Sequence, residues 1–325
     1  MVLESVIGVK NIKSHPVFIF FLTLFICAGS IFFAELIFPA HASVLSVAFI
    51  TIGLVPLVYN ILSEETGEEF NCKGSICATF FARHFNLIMI YVWIFLGIIV
   101  AFAFYYSFLP VTLRASLFEE QIKSFCIISG SSSCVNGVPF SIAGRSLAFG
   151  LNACSGLNST VESCALFIFE NNAGVLLFTI LLSVLYGVGA IFIIAWNASI
   201  LGVFFGETII VGDVVRWLSM IQSMLIGHGP PELMGYVFGA LAGGVLSAMV
   251  AKREFFTHKS SIIIKDVLFL SLLAIFSVGY GAVTEAIGIM GFSELYFLMG
   301  FCYLLLIVLA IFFYGKSRSS PRFFL

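Results

Sequence analysis

Apolar stretches of about 20 residues, the length that a helix needs to cross a bilayer, recur along the whole chain. Short polar loops and one long polar segment separate them. We place spans at 17–37, 42–62, 86–109, 266–287 and 293–314, and a longer apolar stretch at 173–206. Segments of alternating polarity, typical of an outer-membrane barrel, are not evident. The sequence therefore predicts an all-α fold, a polytopic bundle of transmembrane helices.

The composition agrees with a chain surrounded by lipid. Of its 325 residues, 61% are hydrophobic and 10% are charged, whereas soluble domains contain about 25% charged residues. The net charge of -2 gives no reason to expect a nucleic-acid partner. The first apolar run could also be a secretory signal cleaved near Ala40-His41-Ala42. Because that run continues to Phe38, beyond the usual signal core of about 7–15 residues, we expect a retained span.

Lysine and arginine in the short loops predict the orientation, since such loops favour the cytoplasmic side. They occur in the N-terminal segment, in the loop 252–265 and in the C-terminal tail. We therefore expect a protein of the cell membrane with both termini in the cytoplasm. The chain then divides into a three-span region at 1–109, an extracytoplasmic insert at 110–172 and a membrane core at 173–325.

Four of the eight cysteines lie in the insert, which predicts two disulfides on an oxidising side of the membrane. Four cysteines allow three pairings; we favour the local one, Cys126 with Cys134 and Cys154 with Cys164, and free thiols are the alternative. The sequon at Asn158 could carry a glycan.

A short polar motif, His228-Gly229-Pro230-Pro231-Glu232, breaks the apolar pattern in the second half of the chain. Proline stops a helix and glycine lets the backbone turn. The run 214–227 before it would reach about 21 Å as a helix, short of a bilayer core of about 30 Å. We therefore predict a broken, re-entrant helix pair that enters from the cytoplasmic side. Two short full crossings are the alternative.

The same motif and one distant carboxylate predict an intramembrane polar site. His228 and Glu232 lie four residues apart, and Glu285 lies nineteen residues after Asp266, about 28 Å along a helix. The length of the run 214–227 and the count from Asp266 therefore place the motif and Glu285 at a similar depth in the membrane. Asn197 is a weaker candidate for the same site. Ionisable groups at membrane depth usually face a bundle interior or a water-filled cavity.

Three interpretations of this site remain open: a structural hydrogen bond, an ion, proton or polar-substrate site, and a metal site. H-x3-E lacks the second histidine of the zincin pattern. No spacing here demands a metal, so the metal site is the interpretation that we favour least, and our expectation is a site without a metal or a cofactor.

Glycines at every fourth position predict where helices pack closely. Gly235, Gly239 and Gly243 follow the motif, and Gly202 and Gly206 end the stretch 173–206. Small residues at this spacing let a second helix approach backbone to backbone. We expect the helix after the motif to be central in the bundle.

These residues resemble the stage II sporulation protein M family of membrane proteins, which also occurs outside spore formers, including in archaea. The resemblance covers 173–290, about a third of the chain. It rests on His228-Gly229, Glu232, the small-residue helix Gly235–Gly244, Asn197, Gly202 and Glu285. Pro231 and the cysteine-containing insert depart from the family pattern.

The resemblance implies a component that acts with partner membrane proteins in septal membrane migration and peptidoglycan remodelling. The partners supply the hydrolase chemistry there, and a chain from an organism without spores or peptidoglycan would share only the helical core and polar site. Our first hypothesis is a non-enzymatic, membrane-organising or partner-binding protein that acts through the insert, which is too long to be a mere connection, with self-association as an option. A transporter or channel that uses the broken helix is the alternative, and an intramembrane metal-dependent hydrolase is the third.

Overall fold

The computed structural model describes residues 17–71, 80–129, 154, 159–212, 214–251 and 260–319. Within these ranges the regular structure is helical and contains no strand, so the all-α prediction is confirmed. A short 3₁₀ turn at Pro39–His41 joins the first two helices. The α-helices are α1 (Val17–Ile37), α2 (Ala42–Asn71), α3 (Phe80–Phe108), α4 (Val111–Leu117), α5 (Glu119–Ser129), α6 (Val161–Tyr186), α7 (Ala190–Val211), α8 (Val214–Leu225), α9 (Gly229–Ala251), α10 (Ser260–Ile289) and α11 (Ser293–Ser319).

Seven of these helices are long and apolar enough to cross a membrane, namely α1, α2, α3, α6, α7, α9 and α10. The helix α11 is apolar over Ser293–Leu309 and packs beside α10. Large apolar side chains point away from the bundle; Phe25 and Phe301, for example, are 75% and 60% exposed. Such surfaces need lipid around them. The chain is therefore a multi-pass integral membrane protein.

Two pairs of helices run in the same direction, which fixes the topology of the bundle. Gly202 of α7 lies against Phe102 of α3, and Gly206 lies against Tyr106 one turn further along both helices. Residue numbers rise together, so α3 and α7 are parallel. In the same way, α6 and α9 are parallel, because Asn172 contacts Glu232 at one end and Ser183 contacts Gly243 near the other. Successive crossings thus alternate in direction.

We call the end of the bundle where α3 ends and α6 begins the insert face. The helices α7 and α10 also end at this face, and α9 and α11 begin there. The other end, which we call the opposite face, carries the end of α2 and the beginnings of α3 and α10. At the opposite face Leu62 of α2 approaches Gly244 of α9, and His84 of α3 lies 3.8 Å from Asp266 of α10.

The sequence suggested that the apolar stretch 173–206 is one segment. In the structure it belongs to two helices, each long enough to cross the membrane. Tyr186 ends α6, Ala190 begins α7, and Gly187 turns between them with φ of 73°. A positive φ strains residues with a Cβ atom and suits glycine. The turn contains neither a charge nor a proline, so the hydropathy does not show it. The boundary predicted at 172 also falls inside α6.

This division changes the interpretation of the broken helix pair. The break is present, but α7 already crosses to the insert face, and α9 is 23 residues long and returns from that face. Both ends of α8 therefore lie at the insert face. One side of α8 packs on the bundle through Trp217, Met220, Ile221 and Met224. The expectation of a re-entrant hairpin from the opposite face is wrong, because α8 is an amphipathic helix along the insert face and not half of a crossing.

The described part of the insert packs onto the same face. Phe118, between α4 and α5, is buried against the rings of Phe102 and Tyr106. The buried amide of Gln121 donates a hydrogen bond of 3.1 Å to the Ser43 carbonyl oxygen at the start of α2. These contacts connect α3 and α2 to the first third of the insert.

One of the local cysteine pairs is bonded in the structure. Cys154 and Cys164 form a disulfide with their Cα atoms 4.6 Å apart, and Cys164 lies in the first turn of α6. The predicted pair Cys126–Cys134 and the sequon at Asn158 fall outside the residues whose side chains are described. The disulfide attaches the last part of the insert to the beginning of α6.

Candidate functional site: a histidine and two glutamates at the insert face

The helix α9 is the most enclosed helix around the site, and its glycines are in contact with two different neighbours. Gly235 lies against α10, where an added Cβ would come within 3.2 Å of the Ala274 carbonyl oxygen. Gly239 and Gly243 lie against α6, and a Cβ at Gly243 would be 2.6 Å from the Ile180 oxygen. Residues 235–245 are buried without exception. The small side chains therefore let α6 and α10 hold α9 between them.

The motif that breaks the chain forms the junction between α8 and α9. Gly229, Pro230 and Pro231 lie in the first turn of α9, where a missing proline N–H leaves no hydrogen bond unmade. The N–H of Glu232 donates a 3.2 Å hydrogen bond to the His228 carbonyl oxygen and closes that turn. This geometry directs His228 and Glu232 towards the same end of the bundle.

Glu285 meets these two residues from the end of α10. One potential ligand atom from each of His228, Glu232 and Glu285 lies within 4.8 Å of the other two, and all three residues are half-buried. Gly281, one turn before Glu285, leaves the space that Glu232 occupies: a Cβ there would be 2.7 Å from Glu232 Cγ. The structure thus brings together the three residues whose depths matched in the sequence.

Hydrogen bonds from three other helices orient this cluster. The Asn172 side-chain amide of α6 donates to Glu232 Oε1 over 3.0 Å. On the other side, Nδ1 of His228 lies 3.2 Å from both the Ser223 hydroxyl of α8 and the Tyr296 hydroxyl of α11. Those two hydroxyls are 2.8 Å apart. The imidazole and one carboxyl group are therefore held in fixed orientations.

An open cavity of about 400 Å³ lies directly beside the cluster, lined by residues of α8, α10 and α11. Ser223, His228, Glu285 and Tyr296 contribute to its wall. Glu232 does not line it and lies behind them, against α6. A small ligand or an ion could therefore reach His228 and Glu285 from the insert face.

Asn197 does not join this cluster, contrary to the sequence expectation. Its amide donates a 2.8 Å hydrogen bond to the Ile193 carbonyl oxygen of its own helix, α7, which packs mainly on α3. The asparagine that contacts Glu232 is Asn172. A weak sequence signal for it does exist, because Thr160 is a favoured residue type at a helix N-cap and Glu162 suits the first turn; in the structure Thr160 and Ser163 cap the start of α6. A helix that begins there includes Asn172 in its first half.

The fold and the cluster together define a multi-pass α-helical membrane protein with a polar site at one face. No protein-family model, no curated protein and no solved structure matches the chain.

Proposed function

We propose that the chain is a component of the cell membrane with its termini in the cytoplasm and its insert face outside. The basic residues support this orientation. The helices α1 and α10 begin at the opposite face, and α9 and α11 end there. The basic residues of the sequence are concentrated next to these four helix ends. Lysine and arginine in short loops favour the cytoplasm.

Cysteine labelling of intact cells tests this orientation. Ser293 at the start of α11 and Lys265 near the start of α10 are both exposed and lie at opposite faces. A membrane-impermeant maleimide should label Ser293→Cys and not Lys265→Cys, each measured against the unmodified chain. Labelling of Lys265→Cys alone would reverse the orientation.

We further propose that the protein is a non-enzymatic component that binds partner membrane proteins through its insert. The observation that carries this proposal is the direct connection between the insert and the polar cluster. The first turns of α6, which hold the Cys154–Cys164 disulfide, pack against Ala282 and Ala286 of α10. Two turns later Asn172 binds Glu232. A partner on the insert would therefore act on helices that also position the cluster.

The resemblance to the stage II sporulation protein M family supports the same role. That family acts with partner membrane proteins and leaves hydrolysis to them. The residues that carry the resemblance, His228, Glu232 and Glu285, lie at the face from which the insert extends. Self-association of the chain through this face is included in the proposal.

Photo-crosslinking in native membranes tests partner binding. A photoreactive amino acid at Ser159, next to α6, should give discrete protein adducts, while the same residue at Lys265 should not give those adducts. An adduct of twice the mass would identify a second copy of the chain. Lipid adducts alone from Ser159, in membranes of the natural host, would contradict the proposal.

Ion transport is the second candidate, and the cavity beside His228 and Glu285 favours it. The close packing of α9 against α6 and α10 continues below the cluster, which argues for a closed bundle. Proteoliposomes containing the purified chain should therefore show no proton or Zn²⁺ flux above empty liposomes. A flux that Glu285→Gln abolishes would favour the transporter instead.

A further inference from the structure

We propose that His228, Glu232 and Glu285 bind one divalent transition-metal ion, with Zn²⁺ the best match, and that the ion joins the start of α9 to the end of α10. This differs from our sequence expectation of no metal. The role of the ion in holding the insert-face helices rests on the proposed function, whereas its binding rests on the cluster alone.

The distances suit a metal ion of this size. Zinc lies about 2.0–2.2 Å from nitrogen and oxygen ligands, so tetrahedral ligand atoms are about 3.3–3.6 Å apart. The three candidate atoms already lie within 4.8 Å of one another. The separations would have to shorten by at most about 1.2–1.5 Å, a change that rotation of the side chains can supply.

The donor atoms select the class of ion. One imidazole nitrogen with two carboxylates suits Zn²⁺, Fe²⁺ or Mn²⁺, whereas Mg²⁺ and Ca²⁺ prefer oxygen ligands alone. The cavity leaves room for water as a further ligand and gives the ion a path from the insert face.

The surrounding hydrogen bonds resemble those that orient metal ligands. A ligating histidine usually has its second ring nitrogen hydrogen-bonded, which fixes the ring. In His228 the hydroxyls of Ser223 and Tyr296 contact Nδ1, so Nε2 is the nitrogen available for a metal. Asn172 likewise holds one oxygen of Glu232. Two ligands are therefore oriented before any ion arrives.

The charges supply an independent reason for a cation. Glu232 and Glu285 lie close together, and two neighbouring carboxylates repel each other unless a proton or a cation lies between them. Among the side chains that the structure describes, no lysine or arginine forms an ion pair with either glutamate. At the edge of a bilayer, two negative charges without a neighbouring positive charge are unfavourable in free energy. A divalent ion would compensate both.

Metal titration of the full chain in detergent micelles tests the proposal. The protein carries Cys72→Ser and Cys77→Ser, is stripped with a chelator and is then titrated with ZnCl₂, with zinc content measured by mass spectrometry and affinity by calorimetry. We expect one equivalent of zinc per chain, and no comparable binding of MgCl₂. His228→Ala and Glu285→Gln should lose that equivalent.

Matched variants separate ligation from general damage. His41→Gln and Glu294→Gln remove the same chemical groups at exposed positions and should keep the full equivalent. Tyr296→Phe removes only the hydroxyl beside Nδ1 and should weaken zinc binding about tenfold, as expected for a residue that positions a ligand. Elution as a single monodisperse species reports folding for each variant.

Two results would overturn the proposal: a stripped protein that takes up far less than one equivalent, or a folded Glu285→Gln variant that binds zinc as tightly as its parent. Either result would leave the crosslinks from Ser159 unaffected, because those depend on the insert. Loss of the crosslinks with retained zinc binding would reject partner binding and leave the metal site standing.

Discussion

Two glycines on α10 offer a matched pair for testing the site. A Cβ at Gly281 would lie 2.7 Å from Glu232 Cγ, whereas ordinary contact begins at about 3.4 Å. Glu232 must then move by at least about 0.7 Å. At Gly279, two residues earlier, the nearest atom to a Cβ is a carbon of the Phe169 ring at 3.6 Å, which is ordinary contact.

The two alanine variants should therefore differ in ligand binding, whereas their free energies of unfolding should differ by only about 0.5–1.5 kcal/mol, with Gly281→Ala close to the wild type. The Glu232 side chain can make room for the added methyl group by rotating. This rotation would cost about 0.5–1.5 kcal/mol of stability if it moves the side chain away from a preferred rotamer. Alanine stabilises a helix by about 0.5–1 kcal/mol relative to glycine, so the two effects nearly cancel. The carboxyl group, however, no longer faces His228 and Glu285. We expect Gly281→Ala to weaken Zn²⁺ binding at least tenfold and Gly279→Ala to leave it unchanged.

Calorimetric titration with ZnCl₂ gives the affinities, and denaturation in mixed micelles of sodium dodecyl sulfate gives the free energies of unfolding. Equal zinc affinity in both variants, with both folded, would refute the claim that Glu232 beside Gly281 is a ligand. A large loss of stability in Gly281→Ala would show that the backbone, and not the side chain, absorbs the added methyl group.

Three further changes test the packing around the site by the same unfolding assay. Gly243→Ala should destabilise the protein by about 1–3 kcal/mol because its Cβ would meet a backbone oxygen, while Gly174→Ala, with nothing within 4 Å, should not. Asn172→Ala should lower the free energy of unfolding by about 1–3 kcal/mol because Glu232 loses its donor. Asn197→Ala, which removes a hydrogen bond within one helix, should have less effect; equal losses would show that the bond from Asn172 to Glu232 adds no stability. Cys164→Ser removes the disulfide and should lower the free energy of unfolding by about 2–3 kcal/mol. A wild-type protein whose free energy of unfolding does not change when a reductant is added would argue against this bond.

Much of the membrane fold could be predicted from hydropathy alone, and the failures have a local cause. The first span was predicted at 17–37, where α1 lies. The turn at Gly187 was missed because it contains no polar residue that would lower the hydropathy. The start of α6 was missed for the opposite reason: Glu170, Asn171 and Asn172 make the first half of a membrane helix look like a loop.

The site was predictable only in part. Counting along two helices gave a similar depth for His228, Glu232 and Glu285, and the antiparallel packing of α9 on α10 brings them together. Asn172 and Tyr296 come from other helices, and no spacing in the sequence relates them to the motif. The course of α8 was mistaken because a short amphipathic helix along a face and a half-crossing have the same length.

X-ray absorption at the zinc edge, on the full native chain loaded with one equivalent of Zn²⁺, tests the metal site most directly. We expect only nitrogen and oxygen neighbours at about 2.0–2.2 Å, with the scattering pattern of one imidazole ring that disappears in His228→Ala. Sulfur neighbours at about 2.3 Å would instead identify a cysteine site such as Cys72 with Cys77, and the cluster at the insert face would then hold no metal.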